Sequence, residues 1–260
     1  MRDEHQRYCI EIAYKGTAYH GWQIQENAVS VQELVDKALT TILRQHIKTV
    51  GCGRTDTGVH ARQLFAHFDI HHGQTDKLDI ARVLNGLNSL LPNDIVIKDF
   101  FSVASDFHAR FDAISRSYEY HIHFGKNPFL QGFSWQLRDR PDVGRMNAAA
   151  EIMMTYRDFS CFSKSHTQVY TNNCEITYAK WLWEADDVLV FYISANRFLR
   201  NMVRAIVGTL ISIGNDSTKS ADSIREIIES KNRSLAGTSV PACGLYLTKV
   251  SYKDIETLDS

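Results

Sequence analysis

The sequence has no Cys-x-x-Cys pair: its five cysteines, Cys9, Cys52, Cys161, Cys174 and Cys243, are scattered and odd in number. That spacing gives neither a zinc knuckle nor a disulfide framework, and a reducing cytoplasm is the expected setting. No apolar run approaches the length of a bilayer span, and Met1 to His5 carries charge where a secretion signal needs apolar residues. Secretion and membrane insertion are therefore not expected. Charge of one sign is also lacking. The formal net charge is -1, with 11 basic and 12 acidic residues up to position 100 and 12 and 11 from 101 to 212, so a nucleic-acid site must be a local patch. No low-complexity linker interrupts the chain, which argues for rigidly joined parts.

What is present suits a globular protein with a sizeable core: 260 residues, 44% of them hydrophobic and 23% charged. Tyr8 to Tyr14 alternates like a half-buried strand. Ser30-Val31-Gln32-Glu33 reads as a capping box opening a helix. Leu64 to Ile70 is a second strand, Ile80 to Leu91 a helix stopped before Pro92, and Ile95 to Phe101 a third strand. The later half repeats this loosely, with a strand at Ser117 to Phe124, a helix at Val143 to Met154, and a hairpin of Ile176 to Trp183 with Val188 to Ser194. A long helix is expected from Phe198 to Ile211 with Gly214 as its stop, then a short helix at Asp222 to Ser230 and a strand at Gly244 to Tyr252. The expected architecture is α+β, with two similar halves, antiparallel sheets covered on one face by helices, and an active-site cleft between them. The boundary is placed between residues 105 and 106, inside a span from 102 to 114.

The most informative stretch is Gly51-Cys52-Gly53-Arg54-Thr55-Asp56-Thr57-Gly58-Val59-His60-Ala61. Three glycines and turn-forming residues surround one carboxylate, as a loop that displays a single acid requires. A dinucleotide fingerprint fails because Asp56 stands where a third glycine is needed, and a P-loop fails because Val59 and His60 stand where Lys and Ser or Thr belong. A plain loop with Asp56 as a helix N-cap stays open. To stay ionised beside a substrate, such an acid needs a cation within about 4 to 6 Å, which lowers a carboxylate pKa by roughly one to three units. Arg204 is the candidate, and Arg54 is better suited to touch substrate. Arg197, Arg200 and Arg204 are spaced to share a helical face, either as an RNA contact or as a solvated surface. Tyr118 and Tyr120 share a strand face with Ile122 and Phe124, which reads as core packing; a tyrosine at a cleft edge could instead stack on a base. His121-x-His123 lacks a third metal ligand, and no G-x-S-x-G elbow is present.

Taken together, these stretches resemble one family. The Asp56 loop closely resembles the catalytic loop of the tRNA pseudouridine synthase A (TruA) family, in which alanine is usual at the place of Thr57. Tyr14-Lys15-Gly16-Thr17-Ala18-Tyr19-His20-Gly21-Trp22-Gln23 resembles Y-D-G-T-x-Y-x-G-W-Q, with Lys15 replacing the common Asp. Phe107 to Phe111 resembles F-H-A-R-F, Tyr118-Glu119-Tyr120 the R-x-Y-x-Y strand, and Phe198 to Arg204 the F-L-x-x-M-V-R segment. Gly244-Leu245-Tyr246-Leu247 matches the closing G-L-Y-L, with Leu245 as a substrate-side residue.

The resemblance implies isomerisation of uridine to pseudouridine at positions 38 to 40 of the tRNA anticodon stem and loop, by a homodimer with no metal or cofactor. It implies Asp56 as nucleophile, Tyr118 on the target uracil, Arg204 as partner of Asp56, and Arg54 in the gap left by the extruded base. Arg197, Arg200, Arg110 and Lys164 would contact RNA. Two other readings remain at this stage: a non-enzymatic protein of two RRM-like halves, which leaves the acid unexplained, and a phosphohydrolase with Asp56 as phosphoryl acceptor, which needs Mg²⁺ and further acids.

Overall fold

A computed structural model of the chain describes residues 5–71, 78–163 and 171–253. It divides into two compact units, the first comprising residues 1–114 and 247–260 and the second residues 115–246.

The first unit opens with β1 (His5–Tyr14), in which Tyr8, Ile10, Ile12 and Tyr14 are all buried. β1 lies between two antiparallel neighbours, β3 (His60–His71) and β4 (Ile95–Ser102), so that Ile10 faces Ala66 on one side and Phe100 on the other. Half of the expected capping box is seen: Ser30 Oγ accepts from Glu33 N at 3.3 Å as the N-cap of α1 (Val31–Leu43), which buries Val31, Val35, Ala38 and Leu39. A two-residue strand, β2 (Val50–Gly51), pairs with β3. Asp79 caps α2 (Ile80–Leu90) through Arg82 N. Asn88 then fixes α2 to β4, its side chain donating to Ile97 O at 2.9 Å and accepting from Ile97 N at 2.8 Å.

The second unit, which takes in β5 (Ala113–Phe124) from Ser115 onward, continues with β6 (Trp135–Leu137), which pairs with β5 in parallel. Asp142 caps α3 (Val143–Met153) through Arg145 N at 2.9 Å. β7 (Ile176–Ala185) and β8 (Val188–Ala195) form the expected hairpin, and β8 lies between β5 and β7, antiparallel to both. Asn147 of α3 bonds both Trp181 N and Trp181 O on β7, at 2.8 and 3.1 Å. α4 (Met202–Asn215) and α5 (Ser223–Glu229) follow, and β9 (Leu245–Tyr252) closes the chain, its residues from Leu247 onward belonging to the first unit beside β3. The fold is therefore a mixed α+β one with mostly antiparallel pairing.

Two expectations about α4 are corrected. It begins at Met202, not Phe198, because Asn201 takes a left-handed conformation with φ 65 that breaks any earlier helical run. Gly214 does not stop it either. The helix continues to Asn215, and Gly214 is a buried residue against which Pro141 and Met146 pack, so its smallness serves contact. Among the described residues, no helix is long and apolar enough to cross a membrane.

Candidate active site

The Asp56 loop, residues 52–59, joins β2 to β3. No helix follows Asp56, so its role as an N-cap is excluded. Val59 N donates to Asp56 O at 3.1 Å, closing a turn in which Gly58 takes φ 80, the geometry a type II turn requires at its third position. Thr57 occupies the exposed second position of that turn, which accepts most side chains. Asp56 itself is half-buried and Arg54 exposed.

The Tyr14-to-Gln23 segment clamps this loop. Trp22 N donates to Thr55 O at 3.4 Å, Gly58 N to Tyr19 O at 3.3 Å, and Tyr14 shares a 2.7 Å hydrogen bond between its hydroxyl and Thr55 Oγ1. Thr55 is thus held by main chain and side chain next to the acid. Gly21 has φ 85, and a Cβ on it would lie 2.2 Å from Thr55 O, so no larger residue fits there. Buried His60 accepts from Gly16 N at its Nδ1, which gives this histidine a structural assignment. Tyr19 donates to Asp94 and is locked in turn. The glycines of the loop signalled its turn in the sequence, whereas Tyr14, Trp22 and Gly21 emerged as its holders only in the structure.

Tyr118, Arg204 and Leu245 lie in the second unit. Tyr118 is half-buried on β5, opposite Ile193, with its ring edge-on to Phe198 at 5.2 Å. Tyr120, two residues on, is fully buried; its hydroxyl donates to Pro241 O at 2.8 Å and burial pushes its pKa up. The two tyrosines therefore separate, Tyr120 as core and Tyr118 at the margin. Arg204 Nε donates to Val240 O at 2.7 Å, which fixes the plane of its guanidinium. Consecutive carbonyls, Val240 and Pro241, thus receive bonds from the arginine helix and from the tyrosine strand. Ser239 anchors that strap by accepting from Asn201 and Arg233, and Leu245, buried, follows it at the start of β9. Nothing in the sequence pattern marked residues 239–241.

The shared helical face of Arg197, Arg200 and Arg204 is not present. Arg197 and Arg200 precede α4, half-buried and exposed respectively, and Arg204 alone lies on it. Arg110 is exposed, and Lys164 lies outside the described residues. His121 bonds Glu119 at 2.8 Å and buried His123 bonds Ser134 at 2.6 Å, so each ring already has a partner. Among the described residues no group of three or more His, Cys, Asp or Glu could hold a metal ion. Burial pushes the Cys161 thiol up to about 12 and Cys174 up to about 11, far from a nucleophilic thiolate at neutral pH. The Asp56 loop displays its acid on a constrained turn.

A sequence profile described as tRNA pseudouridine synthase matches residues 11–112 and 149–253, taking in the Asp56 loop and Arg204. The protein named tRNA pseudouridine synthase A of Bacteroides fragilis is 49% identical over 247 residues, 95% of this chain and 96% of that one. Its namesake in Porphyromonas gingivalis is 50% identical over 247 residues, covering 95% and 97%. The one in Bacteroides thetaiotaomicron is 47% identical over 251 residues, covering 96% and 91%. A match of this extent, on a chain whose tyrosine- and glycine-rich motif clamps an aspartate loop, places the protein in the tRNA pseudouridine synthase family.

Proposed function

We propose that the protein isomerises uridine to pseudouridine at positions 38, 39 and 40 in the anticodon stem and loop of tRNAs. Family membership supports the reaction, and the clamped Asp56 turn is the observation that carries the residue assignment. The reaction breaks the C1′–N1 bond, turns the uracil and joins C5 to C1′, after which C5 loses its proton and N1 gains one. Atoms and electrons balance within the nucleoside, so the chemistry itself calls for no oxidant, energy donor or metal.

In this reading ionised Asp56 acts on the ribose, either by attack on the anomeric carbon or by proton abstraction that assists loss of the base. Tyr118 covers the uracil, and Arg204 and Leu245 lie on the substrate side. Extrusion of the target costs a few kcal/mol, and exposed Arg54 occupies the gap. Arg110, Arg197 and Arg200 contact the RNA through phosphates and shape, since the deep groove of an RNA stem is hard to read.

The proposal extends to a cytoplasmic homodimer of two RRM-like halves divided near residue 105. What supports two similar halves is the repeated device of an Asp-capped helix whose Asn fixes both main-chain groups of an outer strand, Asn88 with Ile97 and Asn147 with Trp181.

Asp56→Asn tests the assignment. It is expected to abolish pseudouridine formation in a single-turnover assay while changing the dissociation constant for tRNA by less than about threefold, under about 0.7 kcal/mol. Turnover near wild type would remove Asp56 from the mechanism. Arg204→Met is expected to lower the single-turnover rate while leaving tRNA affinity within about threefold, and a rate near wild type would reject a role for Arg204.

A further inference from the structure

The F-H-A-R-F segment is built as a rigid display. Arg7 grips Asp69 with two nitrogens, at 2.7 and 2.8 Å, and donates its remaining one to Phe107 O at 2.9 Å. Ala109 is buried, its N–H donated to His67 Nδ1 at 3.1 Å and its carbonyl accepting from the Tyr252 hydroxyl at 2.6 Å. The turn then folds around His108: its main-chain N–H donates to Asp112 Oδ2 at 2.7 Å, and its Nδ1 faces the N–H groups of Arg110 and Phe111 at 3.2 and 3.3 Å.

This scaffold ends in a side chain that it does not bury. Phe111 is 74% exposed. Its ring lies 4.2 Å from that of His108 at an interplanar angle of 33°, and the Arg110 guanidinium sits 5.8 Å from its centroid. Exposure alone would mean little, since Phe129 is more exposed still at 88%. The difference is the company: an imidazole, a benzene ring and a guanidinium are arranged together on a turn pinned at Phe107, His108 and Ala109. Aromatic and guanidinium planes of this kind hold unstacked bases in RNA, and base–aromatic stacking is indifferent to base identity.

We infer that His108, Phe111 and Arg110 form a stacking platform for one unstacked base of the RNA substrate, with Phe111 as the surface on which the base lies. The partner is RNA and not a second protein because the platform couples a largely exposed ring to a cation, the pairing that a base and its phosphate jointly satisfy. This inference rests on the proposed tRNA-modifying function. Pinning of the turn lowers the ordering cost on binding, so the stacking free energy is not spent on fixing the loop.

The test is tRNA binding by Phe111→Ala, measured with an unmodified anticodon stem-loop and a full tRNA transcript across a salt series. Phe111→Ala is expected to weaken binding by about tenfold, with the slope of log Kd against log salt unchanged. Phe111→Trp is expected to restore binding, and Arg110→Gln to reduce that slope by about 0.7 to 0.9. An unaltered Kd for Phe111→Ala at every salt concentration overturns the platform, as does an altered self-association with unchanged RNA affinity, which would assign the ring to a second copy of the chain. Failure of the unaltered protein to bind either RNA overturns it too. A protein that binds the stem-loop through Phe111 yet forms no pseudouridine would refute the proposed activity and uphold this site.

Discussion

Asn88 and Asn147 perform the same task in the two units, each bonding both main-chain groups of one residue on an outer strand. An outer strand otherwise offers unpaired N–H and C=O groups to other chains. Beyond that shared device the units differ in how they hold the side chains assigned to chemistry. In the first, the Asp56 loop is gripped by main chain: Trp22 and Tyr19 meet Thr55 and Gly58, and Gly21 leaves no room for a Cβ. In the second, Arg204 is a helical side chain aimed by one carbonyl on a strap tied down by Asn201, Arg233 and Tyr120. Main-chain contact fixes position closely and tolerates little substitution, whereas a side chain on a helix is steered by hydrogen bonds that can be weakened one at a time.

The contrast breaks most visibly at Gly21. Gly21→Ala places a Cβ against Thr55 O on a left-handed backbone that costs an L-residue about 1–2 kcal/mol before the clash is counted. It is expected to lower single-turnover pseudouridine formation by about a hundredfold, the scale of a 1 Å misplacement. Gly53→Ala, with nothing within 4 Å of the new Cβ, is the control and is expected to retain its rate. Equal rates in the two variants would show that the clamp does not set the position of Asp56.

An intermediate effect comes from two buried titratable groups of the first unit with opposite signs. His67, whose Nδ1 accepts from Ala109 N, has its pKa lowered to about 4, mainly by burial and also by Arg7 and His108. Its folded value lies below the usual one, so stability is lost as pH falls from about 6.5 towards 4. Asp36 is raised to about 6 by burial, against the pull of the two bonds it accepts from Thr49. Its contribution is present below about 4 and is lost as pH rises to 6. Asp36→Asn keeps an acceptor for Thr49 and removes the buried charge, so its stability relative to wild type should improve between pH 4 and pH 7 by on the order of 2 kcal/mol. Urea unfolding at the two values measures this, and a pH-independent difference would reject it.

The smallest effect is expected in the second unit. Ser239→Ala removes the acceptor for Asn201 and Arg233 but leaves the Val240 carbonyl in place, for about 1 kcal/mol of stability and a several-fold loss in rate. A loss as large as that of Gly21→Ala would erase the distinction between the two ways of holding a residue.

Periodicity made most elements legible. Alternation located β1, β3, β4 and the β7–β8 hairpin, and Ser30 with Glu33 located the start of α1. β2 and β6 escaped because two or three residues carry no period. The early start given to α4 followed from Phe198 and Leu199, which are apolar at helical spacing yet precede the left-handed Asn201; spacing cannot reveal a positive φ. At the site, the acid and its turn were readable because glycine and aspartate chemistry is local. The Val240–Pro241 strap was not, because carbonyls do the binding and every residue type has one. Tyr14 looked like an ordinary strand residue, and its bond to Thr55 spans 41 positions.

The second unit is one unbroken stretch, residues 115–246, set between the two portions of the first. The unit bearing Asp56, by contrast, is joined from two distant portions: Val250 N bonds Gln63, and Tyr252 supplies the hydroxyl that seats Ala109. The acid-bearing unit is thus discontinuous in sequence, and loss of the strand Leu247 to Tyr252 would strip Gln63 and Ala109 of partners that no neighbouring residue replaces.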